Sequence, residues 1–98
     1  MEIIKKLENN ELTIKLVGRL DTTTSPNLEA ELKKSINDVK KLTFDFSELE
    51  YISSAGLRVL LSAQKVMNKQ GQMIVLNAND EIKEVFDITG FTDILTIQ

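Results

Sequence analysis

Apolar and polar residues alternate near the start of the chain. From Leu12 to Leu16 every second residue is apolar and the residues between are polar, as in a strand with one buried and one solvated face. A first segment, residues 2–8 (Glu-Ile-Ile-Lys-Lys-Leu-Glu), precedes this one, and Asn9-Asn10 separates the two. Because Asn tolerates the positive φ of a tight turn, the pattern predicts an N-terminal β-hairpin over residues 2–8 and 11–20.

Three later segments carry apolar residues at helical spacing. The first begins at Ser25-Pro26, where Ser suits the N-cap and Pro the first helical position. Its apolar stripe is Leu28, Leu32, Ile36 and Val39. The second helix is expected from about residue 53 to 69, before Gly71 as a C-terminal breaker. The third is capped by Asn79 or Asp80 and stops at Gly90, and its apolar residues are Ile82, Val85 and Phe86.

Two short segments between these helices are typical of strands. Residues 40–47 alternate, with Leu42, Phe44 and Phe46 on one face. Residues 73–76 are continuously apolar, as in a covered strand. The tail from residue 91 predicts a turn of helix and a last strand. The order β-β-α-β-α-β-α plus tail indicates an α/β fold: a mixed sheet with right-handed β–α crossovers.

The second helix separates its residues by chemistry at about 100° per residue. A narrow polar stripe consists of Arg58, Ser62, Lys65 and Lys69. The opposite, core side consists of Val59, Leu60, Ala63, Val66 and Met67. Ser54 falls beside the polar stripe and is expected to be exposed. Leu57 and Leu61 lie on the shoulder of the exposed face, where they either form a docking surface or pack under the preceding loop.

Composition narrows the functional classes. The 98 residues suffice for one core, so we expect a single domain, 1–98. A net charge of −3 argues against nucleic acid as the main partner. There is no apolar run of membrane-spanning length and no signal-peptide pattern at the N-terminus. We therefore expect a cytoplasmic protein without a membrane partner, as a monomer or weak dimer.

The chain contains no Cys and no His. These absences remove thiolate chemistry, Ser-His-Asp triads and most zinc or iron sites. We expect no catalytic residues, no cofactor and no metal. A hydroxyl at a helix start with no base to activate it is a poor nucleophile but a good substrate. Ser53 and Ser54 have two compatible roles, N-capping by one and phosphorylation of the other.

Around these serines the chain resembles the bacterial anti-sigma factor antagonists, which are small STAS-domain proteins. The family pattern Asp-Ser-(Ser/Ala)-Gly-Leu corresponds to Ser53-Ser54-Ala55-Gly56-Leu57. The family's Gly-x-Leu-Asp corresponds to Gly18-Arg19-Leu20-Asp21. The strand at 71–76 and the helix ending near Ile88-Thr89-Gly90 also match. The resemblance implies a STAS-like mixed sheet with an N-terminal hairpin and helices packed mainly on one face.

The resemblance also implies a partner-switching mechanism. The unphosphorylated antagonist binds an anti-sigma factor that is also a serine kinase, and so releases the sigma factor. Phosphorylation, carried over here to Ser54, breaks the complex, and a metal-dependent serine phosphatase restores it. The family's aspartate before the acceptor is Ser53 here, which leaves Ser53 as a rival acceptor. The expected partner contacts are Asp21, Thr22, Thr23, Ser53, Ser54, Arg58, Leu61, Ser62 and Lys65. For Asp21, capping of the turn that follows is an equally open role.

Three other functions compete with this one. The same fold could serve as a stress-signalling scaffold or sensor, or as a regulatory subunit of a transport system. A response-regulator receiver would be phosphorylated on Asp45, but it needs an acidic pair after its first strand, where this chain has Leu7-Glu8-Asn9-Asn10. A small enzyme or nucleotide binder would need a phosphate-binding loop, which Gly18 and Gly56 do not form. Gly56 is instead expected to let a helix pack closely on the sheet.

Overall fold

The computed structural model describes residues 1–98 and contains five strands and three helices. In chain order these are β1 (Glu2–Glu8), β2 (Glu11–Leu20), α1 (Ser25–Ser35), β3 (Lys41–Ile52), α2 (Ser54–Gln70), β4 (Gln72–Leu76), α3 (Asp80–Thr89) and β5 (Thr96–Ile97). A short 3₁₀ turn at Phe91–Asp93 connects α3 to β5. None of the helices is both long and apolar enough to cross a membrane.

The strands form one mixed sheet in the order β1-β2-β3-β4-β5. β1 and β2 are antiparallel, and all later neighbours are parallel. Asn9 and Asn10 have φ values of 50° and 66°, the left-handed conformation of a tight hairpin turn. The predicted hairpin and the mixed sheet are therefore confirmed.

The core lies on one face of the sheet. Alternate residues of the central strands are fully buried there, namely Ile14, Leu16, Phe44 and Phe46. They join apolar residues of all three helices, such as Leu28, Leu60 and Phe86, in one cluster of 24 buried residues. On the opposite face, Thr13 is exposed and Thr43 and Asp45 are only half-buried. Because the helices supply the apolar cover, this arrangement confirms the expectation that they pack mainly on one face.

The start of α1 differs from the prediction. Ser25 lies inside the first turn, and Thr24 occupies the N-cap position without accepting a hydrogen bond from that turn through its side chain. The Ser25 hydroxyl is buried and donates to the carbonyl oxygen of Asp21 at 2.5 Å. The prediction of Ser25 as the N-cap was wrong because the Asp21 side chain accepts hydrogen bonds from the backbone just before the helix.

Strand β3 is longer than the alternating segment 40–47 predicted. It continues to Ile52 because it pairs with β2 along its whole length, through two register shifts between Lys15 and Val17 and between Gly18 and Arg19. Gly18 has a φ of +107° at the second shift, a conformation that favours glycine. A bulge places extra residues on one strand, so the apolar alternation that marks a strand is lost after Phe46.

Val66 has an environment other than the one predicted: it is expected in the core but is 39% exposed. For Leu57 the sequence left two alternatives open, a docking surface or packing under the preceding loop, and its 6% exposure supports packing. Leu57 therefore packs inside the domain, and of the two shoulder leucines only Leu61 is partly accessible. The other predicted core residues of this helix are buried.

Candidate functional site

The parallel pairing of β2 and β3 brings two loops to one edge of the sheet. Leu20 is opposite Ile52 at the carboxyl ends of these strands. The backbone N–H of Ser53 then donates to the carbonyl of Leu20 at 2.9 Å. Loops at the carboxyl ends of parallel strands are where such folds place functional groups. The segment after Asp21 and the start of α2 are therefore neighbours, as the sequence predicted.

Asp21 organises the first of these loops. Its Oδ1 accepts hydrogen bonds from the backbone N–H groups of Thr23 and Thr24, each at 3.0 Å, and from the Thr24 hydroxyl at 3.2 Å. The hydrogen bond from the Thr24 backbone is the main reason that the pKa of Asp21 lies below its ordinary value. Oδ2 lies 4.0 Å from the Arg19 Nε, and the side chain remains 32% exposed. Asp21 therefore caps the turn that follows it, and part of its carboxylate remains accessible.

Ser53 caps α2. It has extended backbone angles, and its Oγ accepts from the Gly56 N–H at 3.4 Å. Gly56 itself is in close contact with the sheet, since a Cβ at this position would lie 2.8 Å from Leu20 Cγ and 2.9 Å from Ile52 Cγ1. This confirms that Gly56 permits close helix–sheet packing. The start of α2 is therefore held against the ends of β2 and β3.

Ser54 is the first residue of α2 and is exposed. Its hydroxyl makes no hydrogen bond within the protein, in contrast to that of Ser53. The unpaired N–H groups of the first helical turn and the positive end of the helix dipole make this a favourable position for an added anion. Chemically, Ser54 is suited to accept a phosphoryl group from an external enzyme.

A shallow groove lies between the starts of α1 and α2. Thr22, Arg58 and Ser62, all predicted as partner contacts, line it together. The sequence did not identify the remaining lining residues, which are Ser25, Pro26, Glu29, Ala55 and Val59. Helical periodicity predicts which face of each helix is apolar but not which helices are neighbours, so it carried no signal for this groove.

Thr23, Leu61 and Lys65, which were also predicted as partner contacts, do not line this groove. Thr23 is exposed in the Asp21 loop, and Leu61 is half-buried on α2. Lys65 is exposed and lies 11 residues beyond Ser54, which is about 16 Å along the helix axis. The structure thus groups the Asp21 loop, both serines and Arg58 at one end, and places Lys65 three turns away. The sequence also missed a stacking contact, in which the Arg19 guanidinium lies 4.2 Å from the centre of the Tyr51 ring.

Asp45, the candidate acceptor of a receiver domain, lies in the middle of β3 and not at its end. Its Oδ1 accepts from the Ser47 N–H at 2.9 Å and from the Asn77 amide at 3.2 Å. Partial burial raises the pKa of Asp45, but these hydrogen bonds outweigh it and hold the pKa below the ordinary value. No three acidic side chains are grouped as metal ligands. The geometry gives Asp45 a structural role at the end of β4.

Comparison with known proteins identifies the family. The model of the STAS domain matches residues 2–98. The chain belongs to the STAS domain family. Among curated proteins it is 36% identical to BtrV of Bordetella bronchiseptica, over 84% of this chain and 72% of that protein. It is 29% identical to the anti-sigma-B factor antagonist of Listeria monocytogenes, over 97% of this chain and 85% of that protein.

Solved structures show the same STAS fold. The anti-sigma factor antagonist SpoIIAA in its unphosphorylated form superposes with a TM-score of 0.79 at 19% identity, over 99% of this chain and 87% of that one. The phosphorylated form of SpoIIAA superposes with a TM-score of 0.78 at 20% identity, over 99% of this chain and 91% of that one. The similarities support an anti-sigma factor antagonist function for this STAS domain. The names of these relatives describe regulators and not enzymes, in agreement with the expectation that the chain is not an enzyme.

Proposed function

We propose that this chain binds an anti-sigma factor with serine kinase activity while Ser54 is unmodified, and releases it when Ser54 carries a phosphate. The observation that carries the proposal is the exposed Ser54 hydroxyl, free of hydrogen bonds, at the start of a helix whose cap is supplied by another residue. Binding frees the sigma factor from the anti-sigma factor. A metal-dependent serine phosphatase returns the chain to its binding form.

The physical basis of the switch is electrostatic. A phosphoserine carries a charge of about −1.5 to −2 near neutral pH. At the N-terminus of α2 this charge meets unpaired N–H groups and the helix dipole, so the fold of the domain is kept. The same charge changes the surface formed by the Asp21 loop, Ser54 and Arg58. SpoIIAA has been solved in both forms, which supports the compatibility of this fold with a phosphate.

Binding of the host's purified anti-sigma factor to wild type, Ser54→Ala and Ser54→Asp tests the proposal. We expect wild type and Ser54→Ala to bind with similar Kd. Ser54→Asp should bind at least about 100-fold more weakly, which corresponds to a coupling of about 2.7 kcal/mol. Equal binding of Ser54→Asp and wild type would contradict the proposal.

Incubation with the kinase and ATP identifies the acceptor. We expect mass spectrometry to find one phosphate, on Ser54, and none on the Ser54→Ala variant. The matched control is Ser53→Ala, which should still be phosphorylated because Ser54 does not depend on the Ser53 hydroxyl for its exposure. Modification confined to Ser53 would show that the rival acceptor is the real one.

A further inference from the structure

Helix α2 carries positive charge without any compensating acid. Its 17 residues include Arg58, Lys65 and Lys69 but no Asp or Glu, in a chain whose net charge is −3. All three side chains are exposed. None takes part in an ion pair, whereas Lys33 on the neighbouring helix is paired with Glu29 at 3.2 Å. These three cations are therefore available to an external acidic group.

The three cations form one line that begins at the candidate site. They are spaced i, i+7 and i+11, which places them on the same side of the helix, over about 16 Å of its length. Ser54 lies one turn before Arg58, at the N-terminal end of this line. We refer to Arg58, Lys65 and Lys69 as the basic stripe.

An apolar groove runs beside the basic stripe, between α1 and α2. Its floor and walls include Leu32, Ile36, Val59, Ala63 and Val66. Val66 is 39% exposed, although the sequence pattern placed it in the core. The apolar groove shares three lining residues, Glu29, Val59 and Ser62, with the groove next to the Asp21 loop. The two grooves are thus one cleft that extends from the candidate site along α2.

We propose that this cleft and the basic stripe receive an acidic segment of the anti-sigma factor, with one apolar side chain inserted beside Val66. The inference rests on the proposed function and extends its interface about four turns beyond Ser54, as far as Lys69. The partner segment is expected to be acidic because the unpaired cations of the basic stripe attract carboxylates. The apolar groove can take up one apolar anchor residue, and contacts of this type concentrate binding energy when the partner excludes water from them.

This arrangement explains how a phosphate at Ser54 would weaken the complex. An acidic segment aligned with the basic stripe would meet the phosphate at the N-terminal end of the line. Like charges brought together at an interface oppose binding, and Arg58 would be partly neutralised by the nearby phosphate. The affinity of the unmodified chain should also fall as salt screens the attraction.

The experiment measures the Kd for the host's purified anti-sigma factor at low and high salt, using wild type, Lys65→Glu, Lys69→Glu and Val66→Ser. We expect each charge reversal to weaken binding about tenfold near 50 mM salt and by about twofold at 500 mM, because screening removes the electrostatic contribution. Val66→Ser should weaken binding about fivefold at both salt concentrations, since its contribution is apolar.

The controls lie on α3, away from the cleft. Lys83→Glu makes the same charge change at an exposed, unpaired lysine, and Ile88→Ser removes an apolar side chain that is 77% exposed. Both should bind within twofold of wild type. If Lys65→Glu and Lys69→Glu bind like Lys83→Glu while Ser54→Asp fails to bind, the extended interface is wrong and the proposed function stands. If wild type itself does not bind the anti-sigma factor, the proposed function fails together with this inference.

Discussion

Ser53 and Ser54 have the same side chain, but the fold gives each a separate environment. The Ser53 hydroxyl points to the first turn of α2 and accepts from Gly56. The Ser54 hydroxyl is exposed and has no partner in the protein. Ser53 therefore stabilises the start of the helix, and Ser54 is the serine that is accessible for modification. Ser54 can be modified without the loss of the helix cap.

This division predicts different effects of the two alanine substitutions on stability. Ser53→Ala removes the cap and should lower the free energy of unfolding by about 0.5–1 kcal/mol, at the low end for caps because the hydrogen bond is long. Ser54→Ala should change it by less than about 0.5 kcal/mol. Urea unfolding followed by circular dichroism measures both. A larger loss for Ser54→Ala than for Ser53→Ala would reverse the assignment of the cap.

The lowered pKa of Asp21 leads us to expect that the stability of the protein depends on pH. Its pKa is lowered in the folded state from an ordinary value of 3.8, so the ionised form stabilises the fold. That stabilisation is fully present above about pH 3.8 and is lost as pH falls through the lower folded-state pKa. Asp21→Asn keeps an oxygen acceptor but cannot ionise.

The measurement compares the urea midpoints of wild type and Asp21→Asn from pH 6 down to pH 2.5. Wild type should be the more stable at pH 6, and the difference should shrink as the pH falls below 3.8. A difference that stays constant over this range would mean that the charge on Asp21 does not contribute to folding.

At the scale of elements, two glycines end helices for different physical reasons. Gly71 follows α2 with a φ of 179°, which is extended backbone, but a Cβ there would lie 1.9 Å from the carbonyl oxygen of Lys40. Gly90 follows α3 with a φ of +81° and has open space around it. Backbone atoms exclude a side chain at Gly71, whereas only backbone conformation disfavours one at Gly90.

We therefore predict that Gly71→Ala destabilises the protein more than Gly90→Ala does. The clash at Gly71 requires a backbone shift between α2 and β3, at a cost of about 3 kcal/mol or more. Gly90→Ala should cost about 1 kcal/mol, the penalty for a left-handed residue with a Cβ. Chemical unfolding of both variants checks the order. Equal losses would show that the turn after α2 can adjust without strain.

The sequence predicts elements better than their junctions. Binary patterning located the three helices and the second strand of the hairpin from their periodicity, and the strand at 73–76 from its continuous apolar run. It located the first part of β3 but missed the extension to Ile52, where the bulges opposite Lys15 and Gly18 interrupt the alternation. It also failed at Val66, whose exposure depends on how α1 lies against α2. The order of the strands allowed Asp21 and Ser54 to be expected at one edge, but the groove between the helices depends on packing that no local pattern encodes.

At the scale of the whole molecule, the edges of the sheet are protected against pairing with another copy. β1 forms one edge and carries Lys5 and Lys6, and Lys5 is held by Glu31 at 2.6 Å. Charged residues on an edge strand oppose edge-to-edge association. β5, at the other edge, has only two residues.

The larger exposed apolar side chains are spread over several elements, namely Ile4, Leu7, Tyr51, Val66, Ile88 and Ile94. A stable homodimer usually requires a contiguous apolar patch.

These features predict that the protein is a monomer. A monomer is expected of an antagonist that exchanges partners, whereas a scaffold would form a large assembly with other copies of itself. The Cα radius of gyration is 12.1 Å, close to the value of about 12.6 Å expected for one compact chain of this length. Small-angle scattering coupled to gel filtration should give about 13 Å for wild type and for Ser54→Asp, over a tenfold range of concentration. The agreement between the two forms would show that added charge at Ser54 leaves the fold intact. A concentration-independent species several times larger would instead favour the scaffold function, because a surface already occupied by other copies is not free to exchange an anti-sigma factor.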